Sequence, residues 1–308
     1  MSGWSSEPLP ATDEGRHEPG DEPFWNESWY FDVAAADGSF GGWIRMGLYP
    51  NLGATWYMAL FTGPDRPLAA VVDVHAPVPV GDDLTVDACG GWGSTRCEVP
   101  FERWRVAGDA TGVVVDEPEA MYEDDAGVAT RIAHDLVWEN AGAVYPYRLT
   151  TRYEVPCHVR GTVTIGDETI AVDARGQRDH SWGVRDWWAF GWCWTAGWFD
   201  DDSAMHGVEI RFADATASVG YRQHDGELTE SPKLTASEDV GPHGFPHSGR
   251  IDIADTGLGF AVEPLAMAPV LLRAPDGRTA RFPRALCRYR DDTGRVGYGW
   301  TEWIEPDS

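Results

Sequence analysis

The stretch HVRGTVTIGDETIAVDARG, residues 158–176, consists of two short runs rich in valine, isoleucine and threonine on either side of a Gly166-Asp167 turn. Residues of these types favour strands, and a two-residue turn containing glycine typically joins the arms of a β-hairpin. Similar runs, separated by glycine, aspartate, asparagine and proline, recur from Phe24 to the C-terminal GYGWTEWIE. Helical periodicity is almost absent, so the sequence predicts an all-β protein of antiparallel strands.

The length of 308 residues exceeds what a single hydrophobic core normally supports, so we expect two domains. A long meander leaves exposed edges unless it closes, which favours barrels. We therefore predict two antiparallel β-barrels side by side, one over residues 23–150 and the other over residues 151–308. The acidic, proline-rich residues 1–22 are predicted to form a disordered leader.

The charge balance is strongly acidic, with 50 Asp and Glu against 24 Lys and Arg and a net charge of −26. Such a surface repels phosphate backbones and anionic lipids, which argues against nucleic acid as a partner and against membrane-surface binding. No run of about 18 apolar residues is present, so we expect no stable membrane insertion. The five cysteines form no C-x-x-C pair, which fits a reducing compartment. We predict a cytoplasmic protein and leave its oligomeric state, including a homodimer, open.

The most distinctive part of the sequence is GQRDHSWGVRDWWAFGWCWTAGWFDDDSAMHGVEIRF, residues 176–212, where six of the 16 tryptophans fall between Trp182 and Trp198. Side chains alternate along a strand, so the tryptophans of GWCWTAGWF lie on one face. This face either packs as an ordinary core or forms the wall of a pocket for an apolar small molecule. The candidate substrate-binding residues are Trp182, Arg185, Trp187, Trp188, Trp192, Trp194, Trp198 and Glu209.

The turn at residues 200–202 decides which polar residue joins the tryptophan face. A two- or four-residue turn pairs Trp194 with Glu209, whereas a three-residue turn brings His206 onto the face. The sequence is compatible with both registers, so His206 and Glu209 both remain candidates for the site.

Ionisable residues in the same stretch are candidates for acid–base chemistry. A carboxylate that loses its hydration beside apolar rings has a raised pKa, so Asp179 or Asp186 could hold a proton near neutral pH and act as a general acid. His180 could act as a base or a donor, because the ordinary pKa of histidine lies nearest neutrality. Asp179 and His180 face opposite ways in an extended strand, and only a tight turn would aim both at one point. With His206 these residues form the predicted catalytic set; the alternative is a structural knot of ion pairs that includes Arg185.

The block GQRDHSWG at residues 176–183, followed by VRDWW, resembles the D-H-x-W-G signature of the carotenoid 1,2-hydratase family and its lipocalin-like relatives, which include kievitone hydratase-type and Diels–Alderase-type proteins. NESWYFD at residues 26–32 and GGWIRMGLYPN at residues 41–51 are similar to the first domain of a prokaryotic branch of this superfamily. The resemblance implies two lipocalin-like barrels. It also implies acid-catalysed addition of water to, or rearrangement of, a C=C bond in a hydrophobic terpenoid, steroid or similar molecule, without metal or organic cofactor.

One departure from the hydratases leaves the reaction open. A Tyr and an Asp on a later strand contribute in that family, whereas this chain reads AMHGVEIRF at the comparable place, with His206 and Glu209. Hydration, dehydration, isomerisation and cyclisation all remain, because a shared fold does not transmit a reaction. A non-catalytic carrier of an apolar ligand and a tryptophan-lined carbohydrate-binding protein are the alternatives. We predict no metal site, since GPHGFPHSG at residues 241–249 would not present its two histidines together on a helix.

Overall fold

Antiparallel strands make up almost the whole fold in a computed structural model, which describes residues 9–123, 127–147 and 149–306. They form two large sheets that follow one another along the chain, each curved into a lipocalin-like domain. The all-β, two-domain prediction is therefore confirmed. The helices in the described residues are short 3-10 turns, none of them long and apolar enough to span a membrane. They lie at Ala11–Glu14, Pro50–Leu52, Pro118–Tyr122 and Pro242–Gly244.

The first sheet contains eleven strands. In chain order they are β1 (Trp25–Ala34), β2 (Gly41–Tyr49), β3 (Ala54–Gly63), β4 (Arg66–Ala76), β5 (Thr85–Ala88), β6 (Gly91–Val99), β7 (Arg103–Val115), β8 (Val128–Asn140), β9 (Tyr145–Pro146), β10 (Arg152–Ile165) and β11 (Glu168–Val184). Their spatial order is β4-β3-β2-β1-β11-β10-β8-β7-β6-β5, with β9 beside β10. A further ladder between β4 and β7 closes the path from β4 to β7 into a barrel.

The second domain contains the remaining strands. They are β12 (Gly191–Phe199), β13 (Ala204–Arg211), β14 (Thr216–His224), β15 (Glu227–Ser231), β16 (Leu234–Val240), β17 (Pro246–Ile253), β18 (Leu258–Met267), β19 (Val270–Arg273), β20 (Thr279–Phe282), β21 (Arg284–Asp291) and β22 (Val296–Pro306). The spatial order is β15-β14-β13-β12-β22-β21-β18-β17-β16, and the β19–β20 hairpin joins through β22. The strand β16 curls back against β13, where Arg211 Nη2 donates to Glu238 Oε2 at 2.8 Å. Among the described residues, the edge strand β16 is thus joined to the other side of the sheet by side-chain hydrogen bonds and not by a backbone ladder.

The change from one sheet to the other lies between Val184 and Gly191, whereas the sequence suggested a boundary near residue 150. The predicted hairpin is present as β10 and β11, with Ile165 opposite Glu168 across the turn, but it belongs to the first sheet. The reason is the long-range pairing of β11 with β1, which completes the first barrel. The D-H-S-W-G block therefore lies in the first domain and not, as expected, in the second.

The N-terminal segment packs against the first barrel over residues 9–22, which were expected to be disordered; residues 1–8 lie outside the described range. Glu14 is only 3% exposed. Its carboxylate accepts hydrogen bonds from Trp104 Nε1, from Phe101 N at 3.1 Å and from Arg178 Nη2 at 2.8 Å. A buried carboxylate is tolerated when it is paired and hydrogen-bonded in this way. The acidic, proline-rich composition suggested disorder. It could not show the partners of Glu14, because these lie on strands far away in the chain.

Three apolar clusters account for strands that are buried on both faces. The first fills the barrel of the N-terminal domain around Trp29, and the third fills the second domain around Phe260. The cluster between them contains Tyr30 and Trp194 and holds the two domains together. Alternate side chains of β1 enter the barrel and the interface, so every residue of that strand is buried.

The five cysteines are all free. Cys193 lies on the face of β12 opposite the tryptophans and packs in the core of the second domain. Burial raises the pKa of its thiol well above the ordinary value. A thiol in such surroundings is a small apolar packing element and not a nucleophile.

Candidate active site between the two domains

A cavity of about 460 Å³ lies between the two domains. Cavities of this size hold small organic ligands, so the tryptophan face of β12 forms the wall of a pocket rather than a solid core. Trp194 is only 2% exposed, which differs from the open platform of a carbohydrate-binding protein. The aromatic residues of the wall are Tyr30, Trp43, Trp56, Tyr147, Trp182, Trp187, Phe190, Trp192, Trp194 and Phe282.

The D-H-S-W-G block runs along β11 as a regular extended strand, so its side chains point to alternate sides. Pairing with β1 places Asp179 opposite Tyr30 and His180 opposite Trp29. Asp179 and Tyr30 lie on the cavity wall, whereas His180 points into the first barrel. No tight turn interrupts the strand, and the structure therefore does not aim both groups at one point.

Asp179 combines burial with a close cationic partner. It is 4% exposed, and its Oδ2 accepts a hydrogen bond from Arg152 Nη2 at 2.6 Å. Removal from water is the largest influence and raises the pKa of Asp179 above its ordinary value; the Arg152 guanidinium lowers this pKa, and the Glu154 carboxylate raises it. The net direction favours a carboxyl group that retains its proton at a higher pH than an exposed aspartate.

Tyr30 links the cavity wall to a second buried carboxyl group. Its hydroxyl donates to Asp32 Oδ2 at 3.0 Å, and Asp32 Oδ1 accepts from the backbone N–H of Gln177 at 2.8 Å. Burial raises the pKa of Asp32 to about 8, against the opposing effect of these hydrogen bonds. Near neutral pH Asp32 is therefore mostly protonated, and Tyr30 connects that proton to the cavity.

A buried ion pair from the second domain completes the polar part of the wall. Arg284 and Glu302 are 5% and 4% exposed, and their charged groups are in direct contact. Glu302 also accepts a hydrogen bond from Trp192 Nε1. The guanidinium carbon of Arg284 lies 4.3 Å from the ring centroid of Tyr30, so it joins the two domains across the cavity.

His206 lies on the tryptophan face, as a three-residue turn predicts. The strand β13 pairs His206 with Ala196, and the Phe199 N–H donates to Ser203 O at 2.9 Å across the turn. His206 is fully buried behind the wall, and its Nε2 contacts the hydroxyl of Tyr147, which does line the cavity. Burial lowers the pKa of His206 well below its ordinary value, and a nearby guanidinium acts in the same direction. A neutral His206 in this place positions Tyr147.

His180 belongs to a buried cluster on the other face of β11. Its Nδ1 donates to the carbonyl of Asp13 at 2.7 Å, and its Nε2 lies 2.9 Å from Glu27 Oε1. His17 Nδ1 lies 2.7 Å from the same Glu27 oxygen. The ligand atoms of His17, Glu27 and His180 lie within 4.8 Å of one another, so these residues could hold a metal ion. The separations are hydrogen-bond lengths, so the cluster is also stable as a set of hydrogen bonds.

The whole described fold corresponds to one family. Residues 10–307 match the family model described as domain of unknown function DUF7064. The chain belongs to the DUF7064 family. No curated protein sequence matches it significantly.

Solved structures share the fold of this DUF7064 protein across both domains. A provisional AttH from Nitrosomonas europaea superposes with a TM-score of 0.68 at 15% identity, covering 97% of each chain. Kievitone hydratase from Nectria haematococca gives 0.62 at 12% identity, covering 90% of this chain and 88% of the other. CghA gives 0.59 at 12% identity, covering 92% and 88%. The predicted superfamily is thus confirmed at the level of the fold.

Several predicted site residues of this DUF7064 protein do meet at the cavity. They are Asp179, Trp182, Arg185, Asp186, Trp187, Trp192 and Trp194. Asp186 lies at the exposed edge, where its carboxylate binds Arg278 Nη1 at 3.1 Å.

Other predicted residues lie elsewhere. Trp188 and Trp198 are absent from the cavity wall, and their indole N–H groups donate to the carbonyls of Leu272 and Gly176, both at 3.2 Å. Glu209 alternates away from the tryptophans and accepts from Arg211 Nε at 3.0 Å. The three-residue turn is the cause, because it places His206 on the indole face and Glu209 on the opposite one.

Outside β11, the part of the site that the first barrel contributes was missed in the sequence. It comprises Tyr30, Trp43, Arg45, Trp56 and Arg152. A weak signal was available in WYFDV, where the polar atoms of Tyr30 and Asp32 fall on one face of an otherwise apolar strand. Nothing local showed that this face meets the second domain.

Proposed function

We propose that this protein is an enzyme that adds water to, removes water from, or rearranges a C=C bond of an apolar small molecule by acid catalysis, with Asp179 as the proton donor. One observation carries the proposal: a carboxyl group whose pKa is raised by burial lines an aromatic cavity of about 460 Å³. A protonated carboxyl group in apolar surroundings is suited to protonating carbon. The shared fold of kievitone hydratase is consistent with this class of reaction.

In the hydration direction, the π electrons of the C=C bond form a new C–H bond with the proton of Asp179. The O–H bond of Asp179 breaks, and its side chain becomes a carboxylate. The adjacent carbon becomes cationic, and aromatic faces of the cavity wall stabilise that charge. A water oxygen then bonds to the cation, and its extra proton returns to Asp179. Dehydration is the reverse; without water, loss of a proton from a neighbouring carbon gives an isomer, and attack by a second C=C bond gives a ring.

The other predicted donors are placed less well for this role. His180 lies in the first barrel, His206 is buried behind Trp194, and Asp186 is bound to Arg278 at the edge. The Tyr30 hydroxyl, which donates to Asp32, belongs to a cavity-wall residue that pairs with Asp179 on the neighbouring strand. The proposed step needs only the substrate, water and these side chains, and no metal or organic cofactor takes part in it.

The test is incubation of the purified protein with pooled unsaturated terpenoids and steroids in H₂¹⁸O, followed by mass spectrometry. A product carrying ¹⁸O shows hydration, and a product of unchanged mass shows isomerisation or cyclisation. We expect Asp179→Asn to lower the rate about 10²- to 10⁴-fold, the range of a general acid. Asp173→Asn is the matched control, because Asp173 lies on the same strand with an exposed side chain. Equal rates for Asp179→Asn and the wild type would refute the assignment.

A non-catalytic carrier is the second candidate, favoured by the pairing of both buried carboxyl groups on the wall. Asp179 binds Arg152 and Glu302 binds Arg284, an arrangement that also suits a site that only holds its ligand. A carrier would bind the pooled compounds without turnover, and Asp179→Asn would change affinity but no rate. If Asp179→Asn instead unfolds the protein, Asp179 belongs to a structural ion-pair knot.

A further inference from the structure

The charged groups on the cavity wall do not balance. Four arginines and three carboxylates line the described wall, and one of those carboxylates, Asp186, is bound to Arg278 outside it. Arg152 pairs with Asp179 and with Glu154 behind the wall, and Arg284 pairs with Glu302. The remaining two arginines, Arg45 and Arg185, have no carboxylate partner within salt-bridge distance among the described residues. In a protein with a net charge of −26, two unpaired cations in an apolar cavity require an explanation.

Arg45 is held tightly beneath the cavity surface. It is 7% exposed, and its Nη2 has no hydrogen-bond partner. Its guanidinium carbon lies 4.9 Å from the ring centroid of Trp187, whose Nε1 donates to Tyr49 Oη at 2.8 Å. A Cβ atom at Gly47 would lie 2.3 Å from Arg45 Nη1, so the glycine leaves space for the guanidinium. Burying such a donor without a partner is costly, which indicates that a ligand supplies the acceptor.

Arg185 approaches the same place from the end of β11. It lines the cavity, and its guanidinium carbon lies 6.0 Å from the Trp187 ring. Burial lowers the pKa of Arg185 to about 10, and the neighbouring charges of Arg152 and Arg45 act in the same direction. Arg185 still carries its charge at neutral pH. The two guanidinium groups thus flank one indole and concentrate positive charge on one part of the wall.

We propose that Arg45 and Arg185 bind an anionic group of the ligand, so that the cavity takes an amphipathic acid: an apolar skeleton with a carboxylate or a comparable oxyanion. Guanidinium groups bind planar oxyanions through paired N–H donors, and Arg45 has such a donor free. The aromatic wall receives the apolar skeleton and brings it past Asp179. This inference rests on the proposed function, because it names the substrate class of the same cavity. Ligand binding, however, can be measured without turnover.

The test uses all-trans-retinoate and all-trans-retinol, which share a skeleton and differ in the anionic group. Binding to the full chain is followed by quenching of tryptophan fluorescence at neutral pH. We expect the wild type to bind retinoate at least about tenfold more tightly than retinol. Arg45→Met, which keeps an unbranched apolar side chain, should lower the affinity for retinoate about tenfold or more and change that for retinol by less than about twofold. Arg185→Met should act in the same direction.

Two further variants separate a binding role from a general loss of structure. Arg288→Met is the matched control, because Arg288 lies on β21 with an exposed ion pair to Glu263, and it should leave both affinities unchanged. Arg45→Lys keeps the charge but loses the forked donor, and should give an intermediate affinity for retinoate. Equal affinity of the wild type for both probes, or an equal loss for both in Arg45→Met, would overturn the proposal.

The two proposals fail in different ways. Selectivity for retinoate without turnover of any unsaturated compound would support the anionic subsite and contradict the hydratase. Turnover of an unsaturated compound, together with equal affinity of the wild type for retinoate and retinol, would support the hydratase and contradict the subsite.

Discussion

The two faces of β11 are built from the same short motif and have different surroundings. On one face Asp179 meets Arg152, Tyr30 and a cavity large enough for a ligand. On the other face His180 is enclosed by Glu27, Trp29 and the N-terminal segment. The comparison teaches that adjacent polar residues in a motif need not share a role. The cavity face is open to a ligand, whereas the barrel face is a closed set of hydrogen bonds.

The contrast between the two faces is tested most severely at Glu14, which closes the barrel face. Glu14→Gln leaves Arg178, itself 2% exposed, without its buried anionic partner. We expect a loss of about 3–5 kcal/mol in the free energy of unfolding, since breaking a buried pair leaves an uncompensated charge. Urea unfolding measures it, with Glu102→Gln at an exposed position as the control. A loss below about 1 kcal/mol would show that the N-terminal segment adds little to the barrel.

His180→Ala sharpens the comparison, because it should affect stability and not the cavity. The change removes a partner of the buried Glu27 carboxylate, and leaving such a group unsatisfied costs about 1–3 kcal/mol. We expect retinol affinity within about twofold of the wild type, measured by fluorescence under conditions where the variant is folded. His75→Ala, at an exposed position, is the control. A large loss of affinity in a folded His180→Ala variant would mean that the two faces act together.

The last test concerns how stability depends on pH at Asp32, behind the cavity face. Its folded-state pKa of about 8 lies above the ordinary 3.8, so its contribution to stability is present at low pH and is lost as the pH rises towards 8. Asp32→Asn remains neutral throughout. We therefore expect the stability of the wild type to fall relative to Asp32→Asn between about pH 4 and pH 8, by up to about 1.4 kcal/mol per pH unit. Urea unfolding of both proteins at several pH values measures the difference in their free energies of unfolding. A difference that does not change with pH would mean that Asp32 does not hold a proton near neutral pH.

Local pattern was sufficient for part of the site. Alternation along GWCWTAGWF correctly placed Trp192 and Trp194 on one face. Of the two registers that the sequence allowed, the structure has the one with a three-residue turn, which puts His206 on that face. Alternation also predicted that Asp179 and His180 separate in an extended strand, which the structure shows. Tyr30, Arg45, Arg152 and Arg284 were not found, because the sequence does not show which faces of the two sheets meet to enclose the cavity.

The amino-acid sequence by itself determined the strand content, the alternation of side chains and the position of the indole face, since these depend on residues two to ten positions apart. Only the tertiary structure decided that the D-H-S-W-G strand belongs to the first barrel, that the cavity lies between the domains, and that Arg45 and Arg185 have no carboxylate partner among the described residues. Those features depend on which distant strands pair and which faces pack together, and the energies that select the pairings are summed over the whole fold and not encoded in any single segment.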